Sequence, residues 1–355
     1  MKYYVGIDEH SNNVIIGIID ENGKIVFKIK LPNDIVLIIE TLKAFKKAIT
    51  GVVVESTFNW YWLVDALIEA GYKVHLANPA AIKQYEGLKH TNDYDDAFHL
   101  ANLLRLKILP EGYIYPREQR SIRDLLRKRS MLVRQRTANI LSFQNIYNRN
   151  TGQKIKSSDI KAMAKNSIET AFQLEHINLS GDTTLSLINT FTNKIQAIEK
   201  KVLQSMKLQS EFKKLLTIPG IGEILALTIA LETGDIKRFE QVGNYASYCR
   251  CVQSIRYSNG KKKGENNRKN GNKHLGWAFV EGANFAKRLY PEVKRFYQKK
   301  AAATNKIVAI KATAHKLARA AFFVMRDKVD FSMDRAFGLT KIKVVAVNRS
   351  GIVGH

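Results

Sequence analysis

Short runs rich in β-branched and aromatic residues, each stopped by a turn or an acid, recur through the N-terminal third of the chain and restrict its fold more than any other feature. YYVGID, NVIIGIID and KIVFKIKL, over residues 2–30 with a turn at Glu21-Asn22-Gly23, predict a three-stranded meander. A helical pattern follows over 33–48, then a buried strand at GVVVES (51–56), a helix over 60–70, a strand at YKVHLAN (72–78) and a helix from 93 to 107. Strands alternating with helices imply an α/β sheet domain.

Past Leu109-Pro110-Glu111-Gly112 the strand signal ends. Residues 117–147 carry one long helical pattern in which Arg120, Arg123, Arg127 and Arg134 share a face, while Ile122, Leu125, Leu126, Val133 and Ile140 mark an apolar side. Few acids balance those arginines, so the face is expected to bind nucleic acid. After a polar stretch over 148–158, a strong helical pattern over 183–216 predicts a helical hairpin or coiled-coil arm. The segment TIPGIGEILALTIALETGDIKRF then opens a mainly α-helical region with helices over 274–300 and 304–327. The expected divisions are 1–112, an arm or linker over 113–212, a C-terminal domain over 213–340, and a loosely ordered tail over 341–355.

Charge narrows the partners. The 355 residues hold 57 Lys and Arg against 32 Asp and Glu, a formal +25, and this favours a polyanion. The opening MKYYVGIDEH lacks a signal peptide or lipid anchor, and apolar stretches such as Ile224 to Leu231 fall well short of the roughly 20 residues a membrane span needs. A cytoplasmic protein without a membrane partner is expected. Cys249 and Cys251 stand without a second pair, so they read as small buried hydrophobes rather than a zinc site or disulfide framework.

Two constellations carry chemistry. Asp8 ends the first strand, Glu55 ends a buried strand, and Asp93 and Asp96 in Asp93-Tyr94-Asp95-Asp96 share one helical face. Crowded carboxylates repel unless a cation neutralises them, and Mg²⁺, with Mn²⁺ as the alternative, takes hard oxygen ligands while leaving positions for phosphate oxygens. Singly, each acid also suits a plain role: Asp93 as helix cap, Asp96 as dipole complement, Glu55 as strand end. Asp95 is an alternative ligand. The second constellation is a Gly- and Lys-rich loop in which seven basic residues, Arg256, Lys261, Lys262, Lys263, Arg268, Lys269 and Lys273, face a single acid, Glu265. Interleaved glycines let its backbone approach a phosphate chain closely. Ser258 lies in this loop. A serine hydroxyl attacks phosphorus only when a base or metal activates it, and spacing alone leaves Ser258 and Ser254 as turn formers.

The N-terminal acids, the run LLRLKILPEGYIYPREQRSIRDLLRKRSMLVRQRT, the Ile-Pro-Gly-Ile-Gly segment and YCRCVQSIRYSNGKKKGENNRKNGNKHLGWAFVE together resemble the DEDD transposases of the insertion sequence one-hundred-and-ten family across nearly the whole chain. The resemblance implies an α/β RuvC-like (ribonuclease H-like) N-terminal domain, a coiled-coil arm and a mainly α-helical C-terminal transposase domain. It implies that Asp8, Glu55, Asp93 and Asp96 bind metal and that Ser258 forms a covalent 5′-phosphoserine link. It further implies a bridge RNA or seekRNA guide, donor and target DNA as partners, and a homotetramer or dimer of dimers with composite sites. Ser258-Asn259-Gly260 stands where the family often shows Ser-Gly, and His90-Thr91-Asn92 replaces its Lys-Thr wording before the first aspartate.

Competing readings are a RuvC-like nuclease that uses water and a non-catalytic nucleic-acid-binding protein. Leu216 to Gly222 resembles a helix-hairpin-helix turn, which serves either phosphate binding or simple packing. Trp277 and Phe279 are expected in the core.

Overall fold

The computed structural model describes residues 1–82, 92–163, 172, 174–206, 210–252, 255–264 and 270–338. His90, Thr91, Ser254, Glu265, Arg268, Lys269 and the tail over 341–355 lie outside the described residues. The chain divides into two compact units, Met1–Tyr115 and Pro116–Gly264 with the chain from Gly271 onward.

The first unit holds five strands, β1 (Tyr3–Glu9), β2 (Asn13–Asp20), β3 (Ile25–Pro32), β4 (Ile49–Glu55) and β5 (Val74–Ala77), in the order β3-β2-β1-β4-β5. β1, β2 and β3 form the antiparallel meander, whereas β4 joins β1, and β5 joins β4, in parallel. Helices α1 (Ile35–Lys43) and α2 (Tyr61–Glu69) supply the crossovers. Alternation along the strands then decides what each face meets. Val5, Ile7, Ile16, Ile18, Val52 and Val54 form one core with Ile38, Leu42, Leu63 and Leu67 of the two crossover helices. On the opposite face Val53 and Ala77 meet Leu100 and Leu104 of α3 (Asp93–Arg105).

Two glycines let α3 lie directly on the sheet. Gly6 and Gly17 are paired across β1 and β2. A Cβ on Gly6 would fall 1.9 Å from the Ala97 carbonyl oxygen, and one on Gly17 would fall 2.7 Å from the Phe98 ring. Any larger residue would lift the helix away.

The second unit is mainly helical. α4 (Arg117–Thr151) runs four residues past its expected end and stops where Gly152 takes the left-handed conformation, φ 72°. It packs along α6 (Glu175–Met206), with Ile140, Phe143 and Ile146 against Leu185, Ile188 and the Ile160 side chain of α5 (Ser157–Ala162). Leu126 of α4 and Val202 of α6 belong instead to a large core. That core joins α7 (Ser210–Leu215), α8 (Glu223–Thr233), α9 (Val242–Tyr248), α10 (Lys273–Leu289), α11 (Pro291–Ala303) and α12 (Lys306–Asp327).

Three expectations are corrected here. The single helix over 274–300 is two, because Pro291 opens α11 and holds Tyr290 extended, φ −119° and ψ 115°. Strands do not stop at residue 112: β6 (Arg256–Ser258) and β7 (Lys261–Gly264) form a hairpin in the basic segment. Phe279 is fully buried as expected, but Trp277 is 40% exposed, since two residues along a helix separates them by more than half a turn. In the Ile218-Pro219-Gly220 turn, a Cβ on Gly220 would fall 2.2 Å from the Gly282 carbonyl oxygen of α10, so close packing explains this glycine.

Candidate active site

Strand register places the first two acids. β1 and β4 run parallel with Ile7 opposite Val54, so the next residues, Asp8 and Glu55, end adjacent strands at the same edge of the sheet. Asp8 follows Gly6 and Glu55 follows Val53 by two residues, which puts both on the α3 face. In α3, Asn92 is the cap: its side chain accepts from the Tyr94 and Asp95 amides, and the Asp95 carboxylate accepts from the Asn92 amide at 3.3 Å. The capping box therefore occupies Asp95 and leaves Asp93 and Asp96 to share the first turn.

These acids interact. Asp8 and Glu55 lie close enough to perturb each other's ionisation. Burial, followed by the Asp8 charge, pushes the Glu55 carboxyl up to about 7. Burial also raises Asp8; His10 opposes this, while Asp96 and Asp93 add to it. His10 Nε2 lies 3.3 Å from Asp8 Oδ2 and 3.8 Å from Asp93 Oδ2. The His10 carbonyl accepts from Asn33 Nδ2 at 3.1 Å and Asn59 Nδ2 at 3.2 Å, which fixes the chain just beyond β1.

Among the described residues no three His, Cys, Asp or Glu side chains are disposed to hold a metal ion as they stand. The donor set nonetheless fits a hard cation in kind. Asp8, which is buried, and Glu55, which is partly buried, are carboxyl groups that raise the cost of ionising together, and a cation relieves that crowding as a proton does.

Ser258 stands at the end of β6 in the second unit, exposed, directly before the turn of the hairpin. Asn259 (φ 49°) and Gly260 (φ 70°) both adopt positive φ, as a two-residue type I′ turn requires. The Ser-Asn-Gly wording thus builds a tight turn in place of Ser-Gly. Lys261, Lys262 and Lys263 are exposed on β7, and Lys273 is exposed where α10 begins.

Two family models match the chain: DEDD_Tnp_IS110, a transposase, over residues 5–148, and Transposase_20, the transposase IS116/IS110/IS902 family, over residues 212–298. The first stretch contains all four acids and the second contains Ser258. A probable family 20 transposase of Pseudomonas aeruginosa is 25% identical over 231 residues, covering 63% of this chain and 67% of that protein. The chain belongs to the IS110 family of transposases.

The transposase is thus a DNA-recombining enzyme, and DNA is its substrate. Among its described residues no helix is long and apolar enough to cross a membrane.

The expected arginine face is divided. Arg120 and Arg123 are each only 4% exposed. Arg127 makes a bidentate contact with the buried Glu232, Nε to Oε1 at 2.6 Å and Nη2 to Oε2 at 2.7 Å. Burial would raise the Glu232 carboxyl, but the Arg127 guanidinium and the Asn272 amide outweigh it and hold the group below its usual value. Of the four, Arg134 remains exposed.

Glu232 and its partners are functional candidates that sequence reasoning missed. Asn272 Nδ2 donates to Glu232 at 2.7 Å while its oxygen caps α10 by accepting from the His274 and Leu275 amides. The Asn272 amide donates to the Tyr248 carbonyl at 2.6 Å, and Arg250 Nε donates to the Gly271 carbonyl at 3.2 Å. The segment that carries Ser258 is therefore tied together at its base. His10 and Glu9 were missed as well. The adjacency of Asp8, Glu9 and His10 at a strand end was the available signal, and Asn-Gly was the available signal for the hairpin. Nothing local marks Glu232 and Asn272, which are forty residues apart.

Proposed function

We propose that the transposase is an RNA-guided recombinase that cuts and rejoins DNA through a covalent 5′-phosphoserine intermediate on Ser258. The observation that carries this is that Asp8 and Glu55 end adjacent parallel strands, with His10 Nε2 3.3 Å from Asp8 and 3.8 Å from Asp93 in the first turn of α3. The strand order β3-β2-β1-β4-β5, antiparallel on one side of β1 and parallel on the other, supports a RuvC-like, ribonuclease H-type reading of the first unit. The long α4/α6 pair supports its reading as a coiled-coil arm.

Asp8, Glu55, Asp93 and Asp96 would hold Mg²⁺, or Mn²⁺ in its place, which supplies charge neutralisation at the phosphate and lowers the barrier to its attack. The Ser258 Oγ attacks phosphorus and gives up its proton, and the bond to the 3′ oxygen breaks as that oxygen takes a proton. A 3′ hydroxyl of a second strand reverses the step, so the phosphodiester bond is conserved and no energy source is needed. Lys261, Lys262, Lys263 and Lys273, with Arg256, Arg268 and Lys269, lie along the segment that would meet the phosphate chain and offset its charge. The acids and Ser258 belong to different units of the chain, which suits a composite site shared among subunits of a tetramer. A guide RNA carries the sequence information, and the protein reads backbone and shape.

The test is a denaturant-resistant protein–DNA adduct, trapped on the element's own end sequences with co-purified RNA. Wild type forms it; Ser258→Ala abolishes it, and Asp8→Asn abolishes both adduct and strand cleavage. Cleavage that persists in Ser258→Ala without an adduct establishes instead a nuclease that uses water.

A further inference from the structure

A cavity of about 590 Å³ lies in the second unit, between the C-terminal half of α12 and the segment that follows it, ending in the short helix α13 (Met333–Phe337). Its polar lining is cationic, with Lys316 and Arg319 on α12 and Arg335 on α13. Two acids, Asp327 and Asp330, also line it, but both are already neutralised. Arg326 holds Asp327 at 2.7 and 3.0 Å, and Lys214 holds Asp330 at 2.9 Å. Lys316 is engaged too: its Nζ donates to the Ala336 carbonyl at 2.6 Å and sits 5.0 Å from the Phe296 ring centroid.

That leaves Arg319 and Arg335 without a carboxylate partner among the described residues. Burial and then the Arg319 charge push both His315 and Lys316 below their usual values, the mark of like charges crowded together. Apart from His315 and Ser332, the rest of the wall is apolar and includes Phe323, which is 38% exposed. Arg319 and Phe323 lie one turn apart on α12, and the partly exposed ring carries the Arg326 guanidinium 4.9 Å from its centroid, so cations flank an aromatic surface and call for an anion that also carries a flat, apolar surface. A free phosphate is far too small for this volume and makes no use of the ring. A stacked base pair cannot present its face to Phe323 without leaving the duplex.

We propose that this cavity binds one unpaired nucleotide of a single-stranded nucleic acid, with Arg319 and Arg335 on its phosphates and its base against Phe323. This site is separate from the hairpin that carries Ser258 and does not depend on the serine acting as nucleophile. Base stacking on an aromatic side chain is worth about 5- to 100-fold in affinity.

The probes are fluorescent tetranucleotides, dT4, rU4 and an abasic version of dT4, titrated into the full-length protein. Wild type binds dT4 more tightly than the abasic strand by about 5- to 100-fold. In Phe323→Ala that preference disappears, because the ring that reads the base is gone, while the abasic strand binds as before. Arg319→Gln weakens dT4 and the abasic strand by the same factor. Ultraviolet cross-linking of an iodouracil-substituted strand labels the tryptic peptide over 320–326. The tighter of dT4 and rU4 identifies whether DNA or RNA supplies the nucleotide. Unchanged base preference in Phe323→Ala, or cross-links confined to other peptides, overturns the proposal.

Discussion

Asp8, Glu9 and His10 show how much three adjacent residues differ once a strand assigns their faces. Asp8 turns toward α3 and joins Glu55, whereas Glu9 points to the α2 side, where its Oε1 accepts from Trp62 Nε1 at 2.8 Å and its Oε2 has no hydrogen-bond partner. Burial drives the Glu9 carboxyl from 4.5 up to about 7, against the opposing hydrogen bond from Trp62. The consequence for stability has a definite sign. Between these two values the folded state keeps a proton that the unfolded chain has released, so the Glu9 contribution to stability falls as pH rises through this window and levels off above it. Glu9→Gln, which stays neutral and still accepts from Trp62, should match wild type at pH 5 and exceed it at pH 8. Urea midpoints at the two pH values measure this. An equal difference at both would show that Glu9 does not titrate in the window.

Among the elements, α4 is where local pattern and final role part company. Arginines spaced by three, four and seven residues share a face, but spacing does not say whether that face meets solvent, nucleic acid or the protein's own core. Arg127 is answered by Glu232 on α8, a contact between residues 105 positions apart. Removing one member of a buried ion pair leaves the other unpaired and costs about 3–5 kcal/mol. Arg127→Ala should therefore lower stability by about that amount, discounted for the partial exposure of the guanidinium. The exposed Arg134→Ala should leave stability within about 0.5 kcal/mol of wild type and instead weaken nucleic-acid binding. Chemical denaturation and filter binding on the two variants separate the roles. The hairpin has the opposite history: Asn259-Gly260 was legible as a type I′ turn, but the basic residues around it read as an irregular loop. The α10/α11 break was likewise written at Tyr290-Pro291, and the apolar pattern that continues across it masked the stop.

For the whole molecule, the formal +25 remains the dominant long-range property. Binding that neutralises many phosphates releases their counterions, so affinity should fall by about 10³-fold or more between 50 and 200 mM salt. Equilibrium titration of a labelled duplex or guide RNA across that range measures the slope, and a flat response would contradict a phosphate-dominated interface.

The α/β character of the first unit, the strand-end positions of Asp8 and Glu55 and the basic segment around Ser258 were legible in the sequence, because strand alternation, strand-end acids and charge runs are local patterns. Tertiary structure alone decided that Ile7 lies opposite Val54, which makes neighbours of Asp8 and Glu55, and that Gly6 and Gly17 let α3 settle beside them. It also decided that Arg127 turns inward to Glu232 and that Asn272 ties the base of the Ser258 segment. Register, the close approach of backbones and the pairing of buried charges each depend on residues far apart in the chain. Only the packed protein brings such residues within a few ångströms, where a proton, a cation or a hydrogen bond must reconcile them.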